Sequence, residues 1–354
     1  MFSRRLPMFD TFQKVSKSAW LAKIEKDLKG KSVSEMLRRV GGVVPDPFCH
    51  AEDLPNGGFE ASAHRSDNDW LIGEDFYQPA DGNYIAANKQ LLSALMQGVN
   101  APCLLVTTAL SASDMATWLQ DVALAYIELN LVVTCAQNPS VWLPNEPIVG
   151  TLDWSASPNI AETLALGAAY PTLRVLAMRA NPIFAADLRM MLADMLGQMN
   201  YFLEQGNPLE AQKSMFAEVF VDVQYFAAIA QIRALNLLMA NVLAAWSLEP
   251  SNLPSIHARL LPESMLEDGN TNMIRATTQA MSAALGGAQR ITIRPSKPSD
   301  KLANSVARNV HHVLKLESYL DQVYDPAHGS YYIETLTQQL AEDAWSLFLS
   351  AHEV

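Results

Sequence analysis

The sequence feature that most constrains the fold is an alternation, beginning at Trp70, of short apolar runs with longer stretches of helical periodicity. Such alternation is typical of parallel strands joined by helices. The predicted strands lie at residues 71–72, 103–107, 131–135, 148–152, 173–178, 219–221, 255–258 and 289–293. The predicted helices lie between them, at residues 86–97, 113–128, 158–166, 185–204, 224–246 and 271–285. This count predicts an α/β fold, a (β/α)8 TIM-type barrel, with a doubly wound open sheet as the alternative.

Residues 1–69 precede this alternation and are predicted to form an N-terminal helical docking arm and a linker. Ser16 can cap a helix and Gly30 can end it. The apolar positions of that helix recur at helical spacing and are Trp20, Leu21, Ile24 and Leu28. Such a stripe must be covered, either by the chain's own domain or by a partner subunit. Gly and Pro make residues 41–69 an irregular linker with a hairpin, and residues 70–354 form the barrel domain.

The composition excludes some functions. With 25 Lys and Arg against 37 Asp and Glu, the net charge is −12, and the basic residues are dispersed, which argues against binding to nucleic acid. Three cysteines without a C-x-x-C pair suit a reducing compartment, so a cytoplasmic location is expected, with no targeting segment and no membrane span. The uncharged stretch 234–248 is apolar nearly all round and is predicted to be buried on several faces, with a subunit interface as the alternative.

The common chemical motifs are missing. The sequence contains no dinucleotide or P-loop glycine pattern, no H-E-x-x-H, no G-x-S-x-G and no paired Cys and His at zinc spacing. Among seven histidines, His311 and His312 are adjacent and are predicted to lie on a solvated helix face. His257 lies in a predicted strand and either lines the barrel or is a satisfied core residue. The residue pattern therefore identifies no catalytic, cofactor-binding or metal site.

Two further features concern the strand ends. Gly286 is predicted to stop a helix in the left-handed conformation and Gly287 to allow close passage to the next strand, with a phosphate-binding loop as the alternative. Several threonines near strand ends would give a polar, open barrel axis, although β-branched strand propensity alone accounts for them. They are Thr107, Thr108, Thr134, Thr151 and Thr292.

Four motifs follow one another in the last third of the sequence. They are Asn-Thr-Asn-Met-Ile-Arg-Ala at 270–276, Gly-Gly-Ala-Gln at 286–289, Ala-Arg-Asn-Val at 307–310 and Asp-Pro-Ala-His-Gly-Ser-Tyr-Tyr-Ile-Glu at 325–334. In this order and spacing they resemble the methylmalonyl-CoA mutase family. Residues 231–235, Gln-Ile-Arg-Ala-Leu, resemble a helix of that family, and residues 20–30 look like the docking arm of its small subunits.

The resemblance implies a barrel whose axis is threaded by the pantetheine of coenzyme A and which is capped by a separate cobalamin-binding domain. The sequence contains no Asp-x-His-x-x-Gly, the stretch whose histidine ligates cobalt in that domain. The resemblance therefore implies that no cobalamin-binding domain is present and that this chain alone binds no cofactor. Adenosylcobalamin is expected in a partner subunit.

The barrel also departs from the family's catalytic members. Residues 179–184, Arg-Ala-Asn-Pro-Ile-Phe, stand where catalytic members have a Tyr-His pair, and residues 290–295, Arg-Ile-Thr-Ile-Arg-Pro, stand where they have His-Thr-Asn. Residues 70–84 do not match their Tyr-Thr-Arg-Gly run. Because a radical rearrangement needs a preorganised pocket that excludes water, this chain is expected to supply no catalytic residue.

The expected function is that of the non-catalytic small subunit of a heterodimeric methylmalonyl-CoA mutase. Its large subunit would interconvert (R)-methylmalonyl-CoA and succinyl-CoA with adenosylcobalamin. The expected contacts with that subunit are the arm stripe and the helix at 224–246, and the isolated chain could form a homodimer. One alternative is the catalytic barrel of a split acyl-CoA mutase. Another is a degenerate barrel that binds a protein or a CoA ester, whose phosphates Arg290 and Arg294 could meet.

Overall fold

Parallel strands form the centre of the molecule. The computed structural model describes residues 13–54, 67–157, 159–250, 252–295 and 300–352. The strands are β1 (Leu71–Tyr77), β2 (Ala101–Val106), β3 (Leu129–Val133), β4 (Gly150–Trp154), β5 (Leu173–Arg174), β6 (Leu176–Arg179), β7 (Met215–Val221), β8 (Ser255–Leu260) and β9 (Arg290–Thr292). They pair in the order β5-β4-β3-β2-β1-β9-β8-β7-β6.

The two ends of this order belong to one stretch of chain. Only Val175 separates β5 from β6; β5 pairs with β4, and β6 pairs with β7. The nine segments therefore behave as eight strands, and the sheet is a nearly closed barrel. The predicted (β/α)8 barrel is confirmed over the alternative of an open sheet. All eight predicted strands are present. Most boundaries shift by at most two residues, within the usual uncertainty, but β1 extends five residues past its predicted end and β7 begins four residues before its predicted start.

Helices surround the barrel. They are α1 (Lys17–Asp27), α2 (Tyr84–Leu95), α3 (Ala112–Trp118), α4 (Ile160–Ala169), α5 (Leu188–Glu204), α6 (Pro208–Ser214), α7 (Tyr225–Ala245), α8 (Gly269–Gly286), α9 (Lys301–His312) and α10 (Tyr331–His352). A single helix over 113–128 was wrong, because α3 ends at Trp118. The Asn88 side chain of α2 donates to the carbonyls of Trp118 (2.9 Å) and Gln120 (2.8 Å), which satisfies them without a further helical turn.

α7 is the central packing helix. It contacts α5, α8 and α10. Within the described part of the chain it is the one helix long and apolar enough to cross a membrane. However, 78% of its most apolar 18-residue stretch is buried inside the protein. The predicted burial on several faces is therefore confirmed. The expected contact of this helix with a partner stays a prediction, and it would involve only the part of the surface that its own chain leaves accessible.

The glycine pair at the end of α8 has the reverse roles to those predicted. Gly287, with φ of 90°, is the left-handed residue that ends the helix, and its N–H bonds to the carbonyls of Ala283 and Ala284. Gly286 is helical, and a Cβ there would lie 3.0 Å from Cβ of Ile232 on α7. Gly286 therefore allows the close approach of α7 and α8. Both glycines are buried in these structural roles, which leaves no use for them in a phosphate-binding loop.

The N-terminal arm lies on its own chain. Ser16 caps α1 as predicted, Lys17 Nζ contacts carboxylates of Asp46 (3.2 Å) and Asp53 (2.6 Å), and the Trp20 ring meets Phe48 edge-on at 5.6 Å. The stripe of Trp20, Leu21, Ile24 and Leu28 is nevertheless only half-buried. The arm thus uses part of its apolar surface internally and leaves part accessible. Of the predicted linker, an antiparallel bridge joins Val40 and Val43, and residues 55–66 lie outside the described residues.

Candidate functional site

The barrel interior is polar and charged. Side chains from non-neighbouring strands contact one another across it, which shows that they face the axis rather than the surrounding helices. β9 contributes Arg290 and Thr292, β8 contributes His257 and Arg259, and β7 contributes Glu218. β1, the other neighbour of β9, contributes Asp75, and the opposite wall contributes Asn130 from β3 and Thr151 from β4. Most TIM barrels fill this space with branched apolar side chains, so the axis is the candidate site.

Arg290 crosses the barrel from β9 to the opposite wall. Its guanidinium donates to Oδ1 of Asn130, to Oγ1 of Thr151 (3.2 and 3.3 Å) and to Nδ1 of His257 (2.8 Å). The side chain is buried, and burial lowers its pKa below the usual value for arginine. Because Arg290 spans the interior, an extended ligand could follow the axis only by displacing it.

His257 is held as a neutral ring. Burial and the neighbouring Arg290 lower the pKa of His257 to about 3. A guanidinium can only donate, so Nδ1 of His257 accepts from Arg290 and Nε2 carries the proton. Nε2 lies 2.8 Å from Oγ1 of Thr292, to which it donates. Gly73 makes room for that threonine, because a Cβ at Gly73 would collide with Oγ1 of Thr292. His257 therefore lines the barrel interior, and both of its ring nitrogens have hydrogen-bond partners. The two interpretations offered by the sequence, a barrel-lining residue and a satisfied core residue, hold together.

A second arginine joins β8 to β1. Both terminal nitrogens of Arg259 donate to Oδ1 of Asp75, at 2.8 and 2.9 Å, and its Nε lies 3.6 Å from Glu218. Burial raises the pKa of Asp75, and Arg259 opposes that shift. Burial also acts to raise the pKa of Glu218, but the charges of Arg259 and Arg290 oppose it, and that pKa is lowered to about 2. Two arginines and two carboxylates thus balance in charge within the axis.

The barrel mouth near β4 and β6 carries another ion pair. The guanidinium of Arg179 contacts the carboxylate of Asp153, and the backbone N–H and C=O of Arg179 bond to the side chain of Gln198 at 2.8 and 2.9 Å.

Burial raises the pKa of the Cys103 thiol on β2 to about 12, so the thiol stays protonated at neutral pH. The arrangement holds charged groups in mutual pairs and presents neither a free base nor a free nucleophile among these residues.

The predicted threonines and arginines divide between the axis and its surroundings. Thr151 and Thr292 lie in the axis, whereas Thr107, Thr108 and Thr134 are exposed beyond the strand ends. The expected polar axis is confirmed, but Arg290 fills it rather than leaving it open. The alternative that Arg290 and Arg294 meet phosphates together was wrong, because β9 ends at Thr292 and Arg294 lies outside the barrel interior.

The family-like motifs form a buried triad that sequence reasoning missed. Arg233 of α7 is 1% exposed and contacts the carboxylates of Asp325 and, at 2.9 Å, Glu334. Glu334 also accepts from the backbone N–H of Gly329 at 2.9 Å. The motif at 325–334 thus anchors the start of α10 to the core helix. A lone arginine beside a long apolar run must be paired when it is buried, and that was the available signal.

Other motif residues are also structural. The Asn272 side chain exchanges two hydrogen bonds with the backbone of Leu266, both at 2.7 Å. Oε1 of Gln289 accepts from the backbone N–H of Ile256 at 2.7 Å. Arg308 of α9 donates to both carboxylate oxygens of Glu74 at 2.8 Å. These motif residues hold loops and helices to the barrel rather than forming a reaction centre.

The predicted solvated face for His311 and His312 was wrong for His311. Its side chain is buried, and its Nδ1 accepts from the indole N–H of Trp70 at 3.1 Å. Burial, assisted by nearby Lys315, lowers the pKa of His311 to about 3. His311 follows Ala307 by four residues and precedes Leu314 by three, so the helical period placed it on the core-facing side.

Comparison with known proteins gives the following likenesses. Residues 207–354 match the family model described as methylmalonyl-CoA mutase. A methylmalonyl-CoA mutase small subunit of Porphyromonas gingivalis is 29% identical over 410 residues, covering 100% of this chain and 65% of the relative. A small subunit of the same name from Streptomyces virginiae is 32% identical and covers 53% of this chain and 33% of the relative.

Among solved structures, a dihydropteroate synthase from Xanthomonas albilineans in complex with 7,8-dihydropteroate is 10% identical with a TM-score of 0.44. The match covers 73% of this chain and 99% of that one. The chain spans less than two thirds of the length of the two mutase relatives.

Proposed function

Because the chain belongs to the methylmalonyl-CoA mutase family, we propose that it is the non-catalytic small subunit of a heterodimeric mutase. Its partner is a cobalamin-bearing large subunit that interconverts (R)-methylmalonyl-CoA and succinyl-CoA with adenosylcobalamin. This chain supports that subunit as a folded barrel. The two small-subunit relatives, one of which matches the whole of this chain, support this assignment.

The observation that carries the proposal is the filled axis. Arg290 joins β9 to Asn130 and Thr151 across the barrel, and Arg259 joins β8 to Asp75. Displacing either arginine would leave its buried partners without their hydrogen bonds or countercharge, at a cost of about 1–3 kcal/mol for each group. A barrel that takes an extended thioester along its axis would need that space free.

The axial residues also do not suit adenosylcobalamin chemistry. A radical reaction needs a preorganised cavity next to the cofactor, and here paired charges occupy the space where a substrate would lie. We therefore assign adenosylcobalamin to the partner subunit and derive no reaction step on this chain. The three cysteines are free thiols, in keeping with a proposed cytoplasmic location.

The arm is the proposed contact with the large subunit. The stripe on α1 is half-buried on its own chain, and its remaining apolar surface is available to a partner. Introducing glutamate at Leu21 and Leu28 should weaken association with the large subunit by about tenfold or more, since charge at an interface core must be desolvated. Sedimentation velocity of the two purified subunits, mixed at equal concentrations, measures this.

The matched control introduces glutamate at Ala19 and Ala22, which lie exposed on the same helix. The proposal expects a one-to-one complex for the wild-type chain and for this control, and dissociation for the variant with Leu21→Glu and Leu28→Glu. If the wild-type chain forms no complex with the large subunit, the assignment as its partner is wrong. If both double variants dissociate equally, the arm stripe is not the contact.

A further inference from the structure

A cleft of about 690 Å³ lies outside the filled axis, between α2 and α9. It opens beside the barrel mouth at the ends of β1 and β9. Its lining includes the apolar side chains of Phe76, Trp118 and Ile293 together with polar and charged side chains. The proposed function makes no use of this cleft.

Three basic residues face the cleft without an ionic partner. They are Lys89 of α2, Arg294 after β9 and Lys301 of α9, and all three are exposed. Within the described ranges none of them has a carboxylate within ion-pair distance. The chain has a net charge of −12, so three positive side chains without an ion-pair partner at one cleft stand out against an acidic molecule.

The acidic groups of the cleft are already neutralised. Glu74 receives two hydrogen bonds from Arg308, and Asp75 receives two from Arg259. The cleft therefore offers a positive surface despite two carboxylates in its lining. An anion entering it would meet Lys89 and Lys301, which have no carboxylate within ion-pair distance among the described residues, and Arg294, whose charge also acts on Asp75.

Three buried hydrogen-bond donors in or beside the lining of the cleft have no partner among the described residues. The indole N–H of Trp118, which is fully buried and lines the cleft, has no hydrogen-bond partner in the part of the chain that is described. The same holds for Nε of Arg308 in the cleft wall and for Nε2 of His311, which lines a small adjoining cavity. Since Nδ1 of His311 accepts from Trp70, the neutral ring carries its proton on Nε2. All three unmatched groups are donors, and a buried donor needs an acceptor.

We propose that this cleft binds a small phosphorylated anion. Its phosphate oxygens face Lys89, Arg294 and Lys301, and an organic portion, where present, lies against Phe76 and Trp118. Phosphate suits the site because it offers several strong acceptor oxygens and more than one negative charge, which matches clustered cations and donors. The volume exceeds that of one phosphate group and accommodates a nucleotide-sized molecule.

The test is isothermal titration of the isolated full chain with pyrophosphate, ADP, adenosine and citrate. Pyrophosphate probes the anion site alone, and ADP adds an organic portion. The proposal expects saturable binding of pyrophosphate or ADP, with tighter binding of ADP if the apolar side chains of the lining are used. It expects no binding of adenosine and at least about tenfold weaker binding of citrate.

Charge reversal locates the site. The double variant K89E/K301E should bind pyrophosphate and ADP about tenfold or more weakly than the wild-type chain. The control K26E/K31E makes the same change of net charge at exposed lysines near the arm and should bind as the wild-type chain does. Circular dichroism checks that both variants are folded.

Two results would overturn the proposal. One is no heat from pyrophosphate or ADP at millimolar concentration. The other is an equal loss of binding in both double variants, which would show a general charge effect rather than a site. Both are read on the isolated chain, so they are distinct from a failure to bind the large subunit.

Discussion

Replacing Arg233 by methionine is expected to lower the free energy of unfolding by about 3–5 kcal/mol. Arg233 is 1% exposed, and its partners Asp325 and Glu334 are 4% and 0% exposed. Without the guanidinium, the two buried carboxylates lose their arginine countercharge, and this costs more than the loss of the pairing itself. Urea unfolding followed by tryptophan fluorescence measures the change.

Neutralising the two acids should restore part of that loss. The triple variant R233M/D325N/E334Q removes the uncompensated charges, and replacing a whole buried ionic group is far less destabilising than removing one partner. Asparagine suits position 325, where φ is 39°, because it tolerates the left-handed region. We expect the triple variant to be more stable than the single variant R233M.

Arg189 provides the matched control, since it also contacts two acids, Asp187 (2.6 Å) and Asp343 (3.5 Å), but with its side chain 26% exposed. R189M should cost about 1 kcal/mol or less, as surface ion pairs do. Equal losses for R233M and R189M, or a triple variant no better than R233M, would contradict the buried-triad account.

The second large effect is expected at Arg290. R290M should lower the free energy of unfolding by about 3 kcal/mol, because Asn130, Thr151 and His257 each lose a donor inside the barrel. A second readout is specific to the axis. Arg290 is one of the groups that lower the pKa of His257, so that pKa should rise above about 3 in the variant. Histidine resonances followed by NMR across a pH titration measure it.

R294M is the control for this experiment. Arg294 lies four residues further along the same segment and is exposed, so its replacement should change stability by no more than about 0.5 kcal/mol. It should also leave the pKa of His257 where it is. If R290M is as stable as R294M, Arg290 does not hold the barrel interior together.

The barrel itself was predictable because eight apolar runs separated by helical segments have few other solutions. The strand boundaries were less accessible, most of all at β1 and β7, since hydrophobicity does not mark where strand pairing starts or stops. The end of α3 at Trp118 depends on Asn88, a residue of another helix, and is therefore a tertiary effect.

The contents of the axis could not be read from the sequence in the same way. Arg290 and Arg294 share a strand face only if the strand continues, and β9 stops at Thr292. Closure of the barrel then turns Arg290 inward toward His257, its register partner on β8. The motif that identified the family at 325–334 could be recognised, but its physical role depends on Arg233, which lies far away in sequence.

The central claim, a barrel that assists but does not catalyse, is tested most directly by turnover. The chain is incubated with (R)-methylmalonyl-CoA and adenosylcobalamin in three mixtures: alone, with a separate cobalamin-domain protein, and with the large subunit. Succinyl-CoA is measured in each by mass spectrometry. The account predicts succinyl-CoA only in the mixture that contains the large subunit. Turnover with the separate cobalamin-domain protein would contradict it and would make this chain the catalytic barrel of a split mutase.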